Sequence, residues 1–290
     1  MYAALALSSP GMLVDTNPNE NIPGYEAYEQ TLPASSIPLK KDFAIKPVVE
    51  ADSAIIVDFD SGSVLFGKNS NEKMQIASIT KLMTLIVALE EGNLNDIVTV
   101  SKKAALTEGS KIWLYGGEQI SLENLLYAAL IHSGNDAAVA VAEHIGGDVE
   151  TFVEKMNQKA KSLGLLSTRF ENPIGFDNIN NYSTVHDLAL LAGYAYQKPF
   201  IQKTARRQSM TIASTNGAIT HDLESTNKLL GSFLNVLGLK TGHTHGAGLC
   251  FTSIIQNEKG NKIITVVLNS PARFIETKKM ATWAFNSYIW

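Results

Sequence analysis

Hydrophobic and polar positions alternate along this chain in a way that divides it into strand-like ends and a helical middle. Ala54-Ile55-Ile56-Val57 and Val64-Leu65-Phe66 flank Asp60-Ser61-Gly62, which supplies turn chemistry, so the first ordered element is predicted to be a hairpin. From Leu82 to Leu89 every residue except Thr84 is apolar, and the run stops at Glu90-Glu91-Gly92, the signature of a helix buried nearly all round. Leu122, Leu125, Leu126, Ala129 and Leu130 fall at helical spacing after Ser121. A further helix is expected from Asp136 to Gly146-Gly147, one from the cap Asp148 to Gly164, and one from Thr184 to Pro199. Beyond residue 200 the period changes to two. Met210-Thr211-Ile212 and Ala218-Ile219-Thr220 read as a hairpin around Asn216-Gly217, and Leu237 to Lys240, Leu249 to Ile255 and Ile263 to Leu268 as three strands before a closing helix over 272–290.

A hairpin at the start, three strands at the end and helices between them are most simply one antiparallel sheet built from N- and C-terminal segments, with an all-helical lobe inserted over about 78–200. The fold class is α+β. Residues 1–50 are read apart from this body. Met1 to Val14 hold a short apolar piece with Ala4-Leu5-Ala6, which reads either as the remnant of a signal peptide or as a frayed terminus. Residues 15–50 carry Pro18, Pro23, Pro33, Pro38 and Pro47 and read as an extended linker. One domain is therefore expected over 51–290.

Composition narrows the partners. A net charge of −4 with no run of basic residues gives no footprint for nucleic acid or for an anionic membrane surface. No stretch is apolar enough to span a bilayer. The single cysteine, Cys250, excludes an internal disulfide and a cysteine-based zinc site, and its apolar neighbours place it in a buried strand. His243-x-His245 is a poor pair for a metal, and no metal or other cofactor is expected. His132, His144, His186 and His221 are scattered singly and read as structural, and Trp113 and Tyr115 read as packing in the helical lobe in preference to lining the cleft.

Three short motifs carry chemistry. In Ala77-Ser78-Ile79-Thr80-Lys81, Ser78 and Lys81 are three apart at the head of the buried helix and share a face. A lysine pressed against such a helix loses hydration, which lowers its pKa and lets it accept the hydroxyl proton of a nucleophilic serine. Ser133-Gly134-Asn135-Asp136 lies between two predicted helices, where a glycine-centred turn presents a hydroxyl and an amide while Asp136 caps the next helix. Lys240-Thr241-Gly242-His243-Thr244 ends a strand, offering a cation, a hydroxyl and, at Gly242, room for a ligand against the strand edge. A phosphate-loop reading of Lys240-Thr241 fails for want of the upstream glycines.

S-x-x-K, S-x-N and K-T-G in this order form the set found in penicillin-binding proteins and class A β-lactamases. With Ser183-Thr184-Val185-His186-Asp187 they extend a resemblance from about Ala54 to the closing helix. The chain resembles the low-molecular-weight penicillin-binding proteins of the D-alanyl-D-alanine carboxypeptidase type, with a β-lactamase/transpeptidase-like fold. That resemblance implies an extracytoplasmic serine acyl-transfer enzyme that removes the terminal D-alanine from peptidoglycan stem peptides, and β-lactams as covalent inhibitors. It implies Ser78 as nucleophile, Lys81 as base, Ser133 and Asn135 as proton relay and amide holder, and Lys240 and Thr241 as receivers of the terminal carboxylate. Gly242 lies under the substrate, and the backbone N–H groups of Ser78 and His243 form the oxyanion hole.

The chain departs from the pattern in three places. Asn172-Pro173-Ile174-Gly175 stands where relatives often carry Asn-Pro-His-Gly. No arginine lies between Arg207 and Arg273, so carboxylate binding is expected to rest on Lys240 and Thr241. Relatives commonly continue into a β-rich domain and an amphipathic anchor; the sequence stops at Trp290, so attachment through the C-terminus is not expected. A D,D-endopeptidase and a non-catalytic penicillin-binding sensor remain as alternatives. A β-lactamase would need a Glu-x-x-x-Asn carboxylate, and Glu171, followed at once by Asn172-Pro173, does not match.

Overall fold

The computed structural model describes residues 37–42 and 44–290, which fall within one compact unit; the expected signal remnant and most of the proline-rich stretch lie outside the described residues. The chain enters through β1 (Leu39–Lys40) and then forms the predicted hairpin from β2 (Ser53–Asp58) and β3 (Val64–Lys68). A 3-10 turn over Ala77–Thr80 leads into α1 (Lys81–Glu91). Then follow β4 (Ile97–Thr99), α2 (Lys102–Ala105), β5 (Gln119–Ser121), α3 (Leu122–Tyr127), a π-helical turn over Ala128–His132, α4 (Asn135–Gly146) and α5 (Val149–Ser162). After α6 (Val185–Tyr196) and α7 (Pro199–Thr204) come β6 (Ser209–Ala213), β7 (Thr220–Glu224), β8 (Asn235–Thr244), β9 (Gly248–Gln256), β10 (Lys262–Leu268), α8 (Arg273–Ser287) and β11 (Tyr288–Ile289).

The main sheet has five strands in the order β3-β2-β10-β9-β8, with antiparallel pairing throughout. It is therefore the expected sheet assembled from both ends of the chain. Its central strands are apolar on both faces because both faces are covered. Ile55, Val57, Ile264 and Val266 join one core with α1 and α6, whereas Ala54, Ile56, Ile263 and Val267 join a second with Met280, Ala281 and Ala284 of α8. Successive residues of one strand thus enter different cores, as the two-residue period dictates.

Caps fall where the polar residues indicated. Asp148 accepts from Thr151 N at 2.6 Å and Thr184 from Asp187 N at 3.0 Å. The end of α1 is tied to α5 and α6 through Glu90, which accepts from Lys198 and Tyr194, each at 2.6 Å, and pairs with Lys159 at 2.6 Å. Burial alone would raise that carboxyl; the Lys159, Lys198 and Tyr194 donors hold it down at about 2.

Several elements differ from the sequence expectation. The lobe also carries the β4–β5 ribbon, whose three-residue strands are too short to show a period. Pro199 opens α7 instead of only closing α6, because a first-turn position has no N–H to lose. In the second hairpin the return strand starts at Thr220, since Ser214 and Asn216 bond Ile219 and Ala218 into a wider turn. The closing helix ends at Ser287, and Tyr288–Ile289 pairs with Leu39–Lys40. The described part of the proline-rich stretch is held to α8, where the buried Glu276 carboxylate accepts from the backbone of Glu50 and Ala51 and from Ser270.

Candidate active site

Strand β8 packs against the 3-10 turn that carries Ser78, so the site forms where the sheet edge meets the helical lobe. The turn is tighter than the predicted α-helical start. In a 3-10 turn residues three apart eclipse one another, which brings Lys81 Nζ to 2.8 Å from Ser78 Oγ. Ala77 adopts φ 47, a left-handed conformation that alanine avoids, and so the nucleophile candidate follows a strained residue. Ser78 Oγ caps no helix; its assigned partner is Lys81.

Lys81 is fully buried and donates to three oxygens: Ser78 Oγ, Asn135 Oδ1 at 2.7 Å and Ile174 O at 2.9 Å. Burial drives its pKa well below the ordinary lysine value, the Lys240 charge pushes it further down, and Asp136 opposes both. The amine is thereby prepared to hold a proton only transiently.

The Ile174 carbonyl gives a physical role to the departure at Asn172-Pro173-Ile174-Gly175. The Ile174 side chain is buried, and its backbone oxygen is what faces the lysine. Asn172 Oδ1 gathers the N–H groups of Ile174, Gly175 and Phe176, and Thr84 Oγ1 donates to Pro173 O at 2.6 Å. Gly175 sits at φ +89, where a Cβ would lie 1.8 Å from the Ala77 carbonyl oxygen. Gly175→Ala is expected to displace the Ala77–Ser78 turn: thermal unfolding should show a loss on the order of 2–4 kcal/mol, and serine acylation should fall with it.

The second motif is delivered by the π-helical turn, which ends at Ser133 with φ 64. Its hydroxyl accepts from Lys240 Nζ at 2.9 Å. Asn135 opens α4, with its amide bridging Lys81 and, through Nδ2, the Glu108 carbonyl at 2.7 Å. Asp136 does not cap α4 as expected. Its carboxylate accepts from Ile112 N and Leu114 N as well as Ala137 N, strapping the 110–114 loop against the site, because the preceding glycine takes the N-cap position.

From β8, Lys240 is 1% exposed, and burial followed by the nearby Arg273 charge brings its pKa down to about 7. Thr241 Oγ1 lies 2.6 Å from Thr226 Oγ1, a hydroxyl that no sequence motif indicated. Gly242 leaves no spare room: a Cβ there would lie 3.0 Å from Ala77 Cβ and 3.1 Å from Ser78 N. The His243 side chain is exposed.

Arg273, the residue that bounds the arginine-free interval, reaches the K-T-G strand in the fold. It opens α8, and its guanidinium donates to Gly242 O at 2.6 Å and Cys250 O at 3.3 Å. Sequence distance hid this: 31 residues separate Arg273 from Gly242, and only the β9–β10 return brings them together. Glu171, in contrast, is turned to Arg169 at 2.7 Å and contributes no carboxylate beside Ser78. Trp113 and Tyr115 do not pack in the lobe; they are 69% and 61% exposed.

The Lys240 shift sets a stability prediction. Its folded pKa lies below its unfolded value near 10.5, so between about pH 7 and pH 10.5 the unfolded chain binds the extra proton and stability rises with pH; below about 7 both states are protonated and the gain is gone. Lys240→Met should lack this contribution. The difference in unfolding free energy between wild type and variant is expected to move by a few kcal/mol from pH 7 to pH 10 in favour of the wild type, and a pH-independent difference would contradict the assignment.

Comparison with known proteins agrees over most of the chain. A family profile described as D-alanyl-D-alanine carboxypeptidase matches residues 40–272. The chain is 39% identical over 249 residues to the D-alanyl-D-alanine carboxypeptidase DacF of Bacillus subtilis, covering 82% of this chain and 63% of that one. It is 35% identical to DacC of Escherichia coli, covering 83% and 63%. The chain therefore spans less than two thirds of the length of these curated relatives. Among solved structures, a Streptomyces DD-transpeptidase superposes with TM-score 0.79 at 29% identity, covering 83% of this chain and 99% of that one. Penicillin-binding protein 5 from Haemophilus influenzae superposes with TM-score 0.77 at 32% identity, covering 83% and 72%.

Proposed function

Because the chain belongs to the D-alanyl-D-alanine carboxypeptidase family, we propose that it is a serine-type hydrolase that removes the terminal D-alanine of peptidoglycan stem peptides through an acyl-enzyme on Ser78. The observation that carries this reading is the fully buried Lys81 amine, 2.8 Å from Ser78 Oγ and pushed toward its neutral form. A serine hydroxyl is a weak nucleophile at neutral pH unless a base takes its proton as it attacks.

In the proposed reaction Ser78 Oγ attacks the carbonyl between the last two D-alanines while its proton passes to Lys81 Nζ. The developing oxyanion is received by the backbone N–H groups of Ser78 and His243, and such preorganised donors contribute about 2.7–4 kcal/mol each. Asn135 holds the peptide amide. The leaving nitrogen takes its proton through Ser133, which Lys240 orients, and the C–N bond breaks to release D-alanine. Water then attacks the Ser78 ester with Lys81 again as base, restoring the hydroxyl and leaving a shortened peptide with a new carboxylate.

The charge distribution supports an anionic substrate terminus. Burial and then the nearby Arg273 charge lower the pKa of Lys240, burial lowers that of Arg273, and a carboxylate placed against Lys240, Thr241 and Arg273 favours the charged form of both. Gly242 lets β8 lie close against the Ala77–Ser78 turn. The catalytic domain in this reading is 51–290, and the chemistry requires no metal or cofactor. The compartment is extracytoplasmic, where the polymer is; no helix among the described residues is long and apolar enough to cross a membrane.

A related reading, cleavage of cross-links, draws on a D-alanyl-D-alanine endopeptidase of Pseudomonas aeruginosa that is 29% identical over 87% of this chain. Incubation with a pentapeptide ending in D-Ala-D-Ala and, separately, with cross-linked muropeptide separates the two by product mass. Loss of one alanine from the pentapeptide is the expected result. Cleavage of the dimer alone would transfer the same residues to an endopeptidase, and penicillin labelling of Ser78 without either product would indicate a sensor.

A further inference from the structure

Beside the candidate site lies a cavity of about 370 Å³ bordered by Lys111, Trp113, His132 and Asp222. Its construction around Trp113 is unusual for a surface loop. The two flanking residues are buried and pinned: Ile112 N and Leu114 N both donate to the Asp136 carboxylate, and the Ile112 carbonyl lies 2.9 Å from His221 Nδ1. Between these anchors Trp113 takes φ 65, a conformation that a bulky side chain avoids, and leaves 69% of its surface in water. An exposed indole on a strained backbone costs stability and returns no core packing. Such strain, held rigidly by its surroundings, marks a binding element.

The chemistry of the rim selects the ligand class. Lys111 Nζ sits 4.6 Å from the indole centroid, fixing the ring. Lys111 and Asp222 put opposite charges on the same small cavity, which favours neither an anion nor a cation and suits a neutral ligand rich in hydroxyl and amide groups. A flat aromatic face bordered by a donor and an acceptor matches a pyranose ring, whose C–H face stacks on the indole while its hydroxyls and acetamide bond the rim. His132 of the cavity directly precedes Ser133 of the site, and Asp136, which pins the loop, directly follows Asn135, so a ligand here adjoins a peptide bound at Ser78.

We propose that the Trp113 cavity is a saccharide subsite that takes an N-acetylated amino sugar of the glycan to which the stem peptide is attached. This rests on the stem-peptide reading of the site and deepens it: the enzyme engages peptides still joined to their sugar in preference to free ones.

The test uses the intact protein, a peptide-free disaccharide of N-acetylglucosamine and N-acetylmuramic acid, and a Trp113→Asn variant, chosen because asparagine tolerates left-handed backbone. Saturation-transfer NMR is expected to show the disaccharide bound to wild type and not to Trp113→Asn, with circular dichroism of the two alike. In kinetics, wild type should favour a disaccharide-linked pentapeptide over the free pentapeptide by about tenfold in kcat/KM, through KM, equivalent to about 1.4 kcal/mol, and the ratio should fall to about one in the variant. Absence of sugar binding in wild type, or its persistence in Trp113→Asn, would overturn the proposal. If neither pentapeptide is cleaved, the hydrolase reading fails, and the peptide-free binding experiment still decides the subsite.

Discussion

Ser78→Ala is expected to lose covalent labelling by a fluorescent penicillin altogether and to release no D-alanine, while unfolding within about 2–4 °C of the wild type. The kinetic part follows from the chemistry: without Oγ no ester forms, and removal of a serine nucleophile from other serine hydrolases costs on the order of 10⁶ in rate. The stability part follows from the geometry. Ser78 Oγ caps no helix and is engaged by Lys81, which keeps Asn135 Oδ1 and Ile174 O as acceptors after the change. Loss of one hydrogen bond of this kind costs about 1 kcal/mol, a small shift in a domain of this size. Gel labelling alongside a thermal melt checks both halves, and persistent labelling of a folded Ser78→Ala protein would remove Ser78 from the mechanism.

Lys81→Met is expected to slow acylation by about 10²–10⁴-fold at neutral pH, the usual weight of a positioned general base. Methionine fills nearly the same space without a proton acceptor, so the fold should persist. The pH profile separates a base from a mere spacer. In wild type the acylation rate should climb as pH passes the depressed Lys81 pKa and level off well below 10.5, once the amine is neutral. In the variant that limb disappears. Stability carries the same signature: the unfolded chain binds a proton that folded Lys81 has released, so wild-type stability rises with pH from the depressed folded value up to the unfolded one. The variant lacks that slope. A wild-type acylation rate that is flat across the titration of Lys81, or a variant that acylates at the wild-type rate, would exclude Lys81 as the base.

Both predictions depend on burial that one element imposes. Lys81 is the first residue of α1, whose next seven residues are all buried, and it cannot reach water without leaving Ser78. The Asn172–Gly175 loop closes the remaining side with backbone oxygens, and Gly175 permits that approach because no side chain stands between the loop and Ala77. The loop therefore acts through its main chain, which is why isoleucine at 174 leaves the contact with Lys81 in place.

Much of this was legible before any coordinates. The apolar run from Leu82 to Leu89, the shorter β-branched run Ile263–Leu268 and the caps Asp148 and Thr184 are local signals, and each lies on the element it predicted. Ser78 with Lys81 was equally legible, because three residues of separation place two side chains together in any helical turn. The grouping of the three motifs was legible only as a resemblance, since no spacing rule brings residues 78, 135 and 240 to one place.

What the tertiary structure decided were the contacts made across long separations and by backbone atoms. Arg273 reaches the K-T-G strand because α8 begins where β10 returns beside β9, and a composition or motif reading has no access to that return. Thr226 meets Thr241, and Ile174 meets Lys81, through groups that every threonine and every residue carry, so no residue type marks them in advance. Trp113 and Tyr115 were misread as packing residues because aromatic character indicates burial on average, whereas the Asp136 carboxylate, by binding the N–H groups on either side of Trp113, turns the indole outward. The sequence by itself determined which elements form and which residue types can do chemistry, because those depend on neighbours in the chain. Their distances, burial and shifted proton affinities came only from the packed structure, because desolvation and charge coupling depend on neighbours in space.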